Sequence, residues 1–152
     1  MNATERITSL NLLYYPFRIR MLRGHELAIN EGIPLRFFET YRFRERQQYL
    51  YDQGRGRSGK IITNAQPGFS YHNYGLAVDF VMWINGKWDW SAMSHYKKMA
   101  EIMESVGLQG LYRHGDWPHW QLADVPPMGF LNTLYMKHGL EAVWDHLDES
   151  FG

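Results

Sequence analysis

Apolar residues fall near helical spacing across residues 16–31, at Phe17, Met21, Leu22, Ala28 and Ile29, with Pro16 suited to a first turn and Gly32 to a stop. The pattern predicts a helix of about four turns. Residues 33–40 (IPLRFFET) read as a short strand, and residues 44–53, dense in Arg, Gln and Leu, as a second helix ended by Gly54. GRGRSGK at 54–60 opens a long loop that turns at Pro67 and Gly68. The most strand-like run is GLAVDFVMWI at 75–84, and Asn85 with Gly86 supplies a hairpin turn back into 87–90. Ser91 is placed to cap a helix through Val106, with Tyr96, Met99, Ala100, Met103 and Val106 on one face and Gly107 closing it. A last short strand is expected at 120–122, then helices at 131–137 and 140–147 broken at Gly139. Helices mixed irregularly with short strands indicate an α+β chain, a small antiparallel sheet flanked by helices.

Composition narrows what such a chain does. Its 152 residues suit one domain spanning 1–152 and leave no room for a second full one. With 45% hydrophobic and 16% aromatic residues it can bury a real core, unlike disordered chains. Sixteen basic residues against sixteen acidic ones give a formal net charge of zero, so no general attraction to nucleic acid or anionic membrane is expected. The first twenty residues carry charge throughout and never form the apolar stretch of a secretory signal or membrane span. The expectation is a cytoplasmic product that does not insert into the membrane and depends on another protein to reach any target beyond it. Cysteine is absent, so any metal must be held by His and carboxylates.

Three segments concentrate groups that a hydrolytic metal site needs: SYHNYGLAVD at 70–79, DWPHWQ at 116–121, and TYR at 40–42. A turn through Asn73 to Gly75 can bring His72 and Asp79 to one point, and His119 enters from another strand. Two imidazoles and one carboxylate leave the fourth tetrahedral position open, as in catalytic rather than structural zinc sites. Asp79 is the most telling residue, because a carboxylate inside LAVDFVMW must be paired or metal-bound to offset its desolvation. Asp116 precedes His119 across the stiff Trp117-Pro118 pair, which keeps a carboxylate near the metal without ligating it. There it can serve as general base toward a zinc-activated water and pass the proton to the leaving amine. Arg42 can bind substrate or stabilise an oxyanion. Each residue also has a plainer reading. A lone His is more often hydrogen-bonded in a core than a ligand, Asp116 beside Gly115 suits a turn, Arg42 suits a solvated helix start, and the tryptophans are mostly core, with one or two left to line a cleft.

The pattern Ser-x-His-x-x-Gly-x-Ala-x-Asp at 70–79 with Asp-x-Pro-His-Trp at 116–120 resembles the zinc peptidases of the VanY and D-Ala-D-Ala carboxypeptidase group, family M15. The fuller stretches TYRFRERQQYLYDQGR and GKIITNAQPGFSYHNYGLAVDF resemble the L-alanyl-D-glutamate peptidases that serve as endolysins of tailed bacteriophages. The resemblance spans roughly residues 15–122 and implies a hedgehog/DD-peptidase-like fold. It implies one Zn2+ per chain on His72, Asp79 and His119, Asp116 as catalytic base, and Arg42 and Ser70 facing the substrate. Two departures concern the expected rim of the cleft: LYRHGD before Asp116 is shorter than in many relatives, and Gln121 stands where an acidic residue is common.

By this resemblance the chain is a zinc endopeptidase that cuts the L-Ala/D-Glu bond of the peptidoglycan stem peptide. It is expected to be a monomeric phage lysis enzyme without a separate cell-wall-binding domain. Made in the host cytoplasm, it would act on the wall in the periplasm after a holin has permeabilised the membrane. The alternatives are a D-Ala-D-Ala carboxypeptidase or dipeptidase of the same family, and a non-catalytic virion module.

Overall fold

The computed structural model describes residues 2–152. In chain order the elements are helix α1 (Tyr15–Asn30), strand β1 (Leu35–Glu39), helix α2 (Arg44–Asp52), a 3-10 turn (Tyr71–Tyr74), strands β2 (Ala77–Ile84) and β3 (Lys87–Asp89), helix α3 (Met93–Ser105), strand β4 (Leu108–Leu111), a second 3-10 turn (Tyr112–His114), strand β5 (Asp116–Leu122), and helices α4 (Met128–His138) and α5 (Leu140–Phe151). The strands form one antiparallel sheet in the order β1-β2-β5-β4, with β3 continuing β2 as a hairpin. This is the α+β architecture that the hydrophobic pattern predicts. Among the described residues, no helix is long and apolar enough to cross a membrane.

One sheet face builds the core. Val78, Phe80, Met82, Trp120 and Leu122 are buried there with Phe17 and Met21 of α1 and Met99 and Met103 of α3. Period-two alternation sends Asp79 and its neighbours to the opposite face. That second face carries the site.

Three local expectations are corrected. Ser91 does not cap α3; its N–H and hydroxyl donate to the Asp89 carboxylate at 2.9 and 3.1 Å, and the helix starts at Met93 with no side-chain cap. The local Asp turn wins because its carboxylate lies two residues away. The last strand begins at Asp116 rather than Trp120. Pro118 is tolerated in it because the β4–β5 ladder shifts register between Gly110 and Leu111, skipping the residues around the proline. Strand β4 itself is too short and too glycine-interrupted to stand out in the sequence. The C-terminal helices run to His138 and Phe151, longer than their apolar spacing suggests.

The C-terminal helices brace the turn that carries His72. Trp144 Nε1–H donates to the Tyr74 carbonyl at 2.8 Å, and the Tyr14 hydroxyl donates to Asp148 at 2.6 Å. Gly75 ends the turn at φ +70°, and a Cβ there would stand 2.3 Å from the Leu12 carbonyl oxygen. Only glycine fits both the left-handed conformation and that approach.

Candidate metal centre

Sheet register brings the candidate ligands together. Asp79 of β2 lies opposite His119 of β5, so both side chains leave the same face. His72 arrives from the 3-10 turn just before β2; Ser70 caps that turn, its Oγ accepting from the His72 backbone N–H at 3.3 Å. His72 Nε2 stands 3.3 Å and His119 Nδ1 3.5 Å from Asp79 Oδ1. One ligand atom from each of the three residues lies within 4.8 Å of the others.

The outer ring nitrogens decide which atoms face inward. His72 Nδ1–H donates to the Thr40 carbonyl at 2.8 Å, which leaves Nε2 as the lone-pair nitrogen. His119 Nε2–H donates to Gln121 Oε1 at 2.8 Å, which leaves Nδ1. His72 Nε2 is buried with no hydrogen-bond partner, a costly state for a polar atom that a cation relieves. Burial alone would raise the Asp79 carboxyl, but the two imidazoles hold it well below the usual carboxylate range; burial lowers His119, and Asp79 outweighs that and lifts it. The cluster therefore attracts positive charge, and its two nitrogens and one carboxylate fit zinc with an open coordination position.

Gln121, which the resemblance associates with the rim of the cleft, does line the cleft but is buried against His119. Replacing it with Leu is expected to lower metal affinity about 10- to 100-fold, read by competition with a chromophoric chelator. Gln121→Glu keeps the acceptor and should retain most of that affinity.

Glu39 was not singled out by the sequence. It is buried and lies opposite Asp79 across β1–β2. The register passes from Phe37↔Phe80 to Glu39↔Asp79, so Phe38 is an extra residue whose bulge turns Glu39 onto the site face. Arg42 Nη2 and Arg46 Nε each bind it at 2.9 Å. Burial pushes the Glu39 carboxyl up, and the two guanidiniums outweigh it and keep it below its ordinary value. Arg42 also donates to Gln47 Oε1 at 3.1 Å and lies 3.6 Å from Asp79 Oδ2. It is a positioned cation beside the ligands rather than a solvated helix start. A carboxylate on the apolar parity of IPLRFFET was the available sign of Glu39, by the same desolvation argument that marks Asp79.

Asp116, the first residue of β5, stands at the open side of the cleft. Partial withdrawal from solvent and the nearby Asp79 charge push its carboxyl above the usual range, against the pull of both imidazoles. The cleft, about 870 Å³, brings Arg42, Ser70, His72, Asp79, Asp116 and His119 to one cavity. All six residues expected from the sequence therefore meet at one place.

The model of the VanY family, described as D-alanyl-D-alanine carboxypeptidase, matches residues 20–123. The peptidoglycan L-alanyl-D-glutamate endopeptidase CwlK of Bacillus subtilis (strain 168) is 35% identical over 113 residues, which is 62% of this chain and 64% of that protein. The chain thus spans somewhat under two thirds of this curated relative. Among solved structures, the Serratia marcescens L-Ala D-Glu endopeptidase ChiX aligns over 80% of this chain and 94% of its own, with a TM-score of 0.50 and 23% identity. The L,D-carboxypeptidase DacB from Streptococcus pneumonia aligns over 99% and 84%, with a TM-score of 0.57 and 17% identity. These two likenesses are of fold.

Proposed function

The chain belongs to the VanY family of D-alanyl-D-alanine carboxypeptidases, and on that premise we propose that it is a zinc-dependent peptidoglycan endopeptidase cutting the stem peptide between L-Ala and D-Glu. The observation that carries the reading is the buried, unpartnered His72 Nε2 facing Asp79 and His119, with Asp116 and Arg42 in the same cleft. The likeness to CwlK supports the choice of bond.

Zinc held by His72, Asp79 and His119 supplies Lewis acidity, which polarises a carbonyl and acidifies water. The protein's own groups do the rest. Asp116 accepts the proton of the attacking water and returns it to the amine of the leaving D-Glu. Arg42, immobilised by Glu39 and Gln47, donates to the carbonyl oxygen as negative charge develops there. Ser70, whose Oγ already accepts from the backbone, keeps its hydroxyl hydrogen for a substrate acceptor. Thr40 and Gln121 fix the imidazole tautomers.

Residues 1–152 form a single catalytic unit in this reading, acting as a monomer. The resemblance of the stretches at 40–55 and 59–80 to phage endolysins supports a role in host lysis. The protein would wait in the host cytoplasm and reach the periplasmic wall once a holin opens the membrane.

Mass spectrometry of fragments from defined muropeptides tests the assignment. The expected products carry new D-Glu amino termini. Release of free D-Ala moves the activity to a carboxypeptidase, and absence of any hydrolysis leaves a non-catalytic module.

A further inference from the structure

The site face continues beyond the ligands as an aromatic strip. Asp79, Val81 and Trp83 share that face of β2, and the pair Trp83↔Trp88 carries it onto β3. The bulge at Phe38 adds a ring from β1. Phe38 meets Trp88 edge-on at 5.1 Å and Trp90 at 4.9 Å, while Trp83 and Trp88 meet at 5.0 Å. Guanidinium groups stand over two of the rings, Arg6 over Phe38 at 3.8 Å and Arg36 over Trp83 at 4.6 Å. Trp90 is 54% exposed, and it lines the same cleft as the metal ligands, as do Phe38 and Arg6. None of these groups has a part in the hydrolysis described above.

We propose that this strip is a glycan subsite, on which the muramic acid ring of peptidoglycan stacks against Trp90 with Phe38 behind it. The inference rests on the proposed cleavage between L-Ala and D-Glu. In peptidoglycan the L-Ala amine is acylated by the lactyl ether of muramic acid, so about two residue lengths, roughly 7 Å, separate the scissile carbonyl from the sugar. Along one face of a strand the repeat is also two residues, roughly 7 Å. Starting from Asp79, that step reaches the level of Val81. Asp89 pairs with Met82, and continuing this register by one residue brings Trp90 level with Val81. A substrate with its carbonyl at the ligands thus has its sugar at the exposed indole. Chemistry agrees with length: a pyranose offers a C–H face to an aromatic ring and hydroxyls at its edge, where the guanidinium of Arg6, which lines the cleft, supplies donors. The acidic group on the adjoining strand, Glu39, is already satisfied by Arg42 and Arg46, so it does not compete for them.

The test compares kcat/KM for a disaccharide-tripeptide with that for the same tripeptide carrying only an N-acetyl group, using the zinc-loaded full chain. The unaltered protein is expected to prefer the glycan-bearing substrate. Trp90→Ala should reduce that preference about three- to tenfold, mainly through KM, and Trp90→Tyr should recover part of it. An equal fall on both substrates assigns the strip to the peptide and overturns the subsite, as does an unchanged preference. Cleavage by the unaltered chain at a bond other than L-Ala/D-Glu overturns the underlying reading as well.

Discussion

Replacing Asp116 with Ala is expected to lower kcat about 10²- to 10⁴-fold, the range for loss of a positioned acid–base group, while zinc content and thermal midpoint stay near those of the unaltered chain. The separation follows from geometry. Asp116 is outside the cluster of ligand atoms and exposed at the open side of the cleft, so its removal opens no cavity in the core. Asp116→Asn keeps the shape and removes the basicity, and it should be nearly as inactive. Stopped assays on defined muropeptides with metal analysis on the same samples decide the matter. Activity within tenfold of the unaltered protein in both variants means that another group moves the proton.

His72→Ala is expected to act earlier, on the metal itself. It removes one of three ligands and also the ring that donates to the Thr40 carbonyl. Zinc should be lost on dialysis against the free ion at low concentration, and hydrolysis should fall by about 10³-fold or more, since Lewis-acid stabilisation is worth several kcal/mol. Stability should fall by about 1–3 kcal/mol from the carbonyl left without its donor, which a urea midpoint can read. Chelation of the unaltered chain should reproduce the loss of activity without that second cost. Full activity after thorough chelation would mean that the cluster serves structure alone.

The two variants probe residues that differ in how readily the sequence reveals them. Asp79 stands out because a carboxylate within an apolar run has no inexpensive explanation, and His72 and His119 gain weight from it. Helices α1 and α3 follow from apolar spacing and from the glycines after them. Glu39 and Gln121 do not stand out, because their roles arise from pairing across the sheet. Glu39 reaches the site only through a bulge whose extra residue, Phe38, looks like any strand position in IPLRFFET. Gln121 sits two residues beyond His119 on the same side of β5, and only the folded distance of 2.8 Å identifies it as the imidazole's partner. Ser91 shows the opposite case, a good capping residue captured by a nearer acceptor. Local chemistry is readable wherever a residue's burial conflicts with its polarity. Long-range register is not.

Glu39, Asp79 and His119 form a single row across β1, β2 and β5, each opposite the next. A slip of one residue in either pairing moves a member of that row to the wrong face. The centre is therefore an internal gauge of strand alignment. Because an ion that binds only the aligned chain also stabilises it, the proposed zinc site leads to an expected result: zinc stoichiometry in a preparation should count the correctly paired molecules, and refolding in the presence of zinc should select for them.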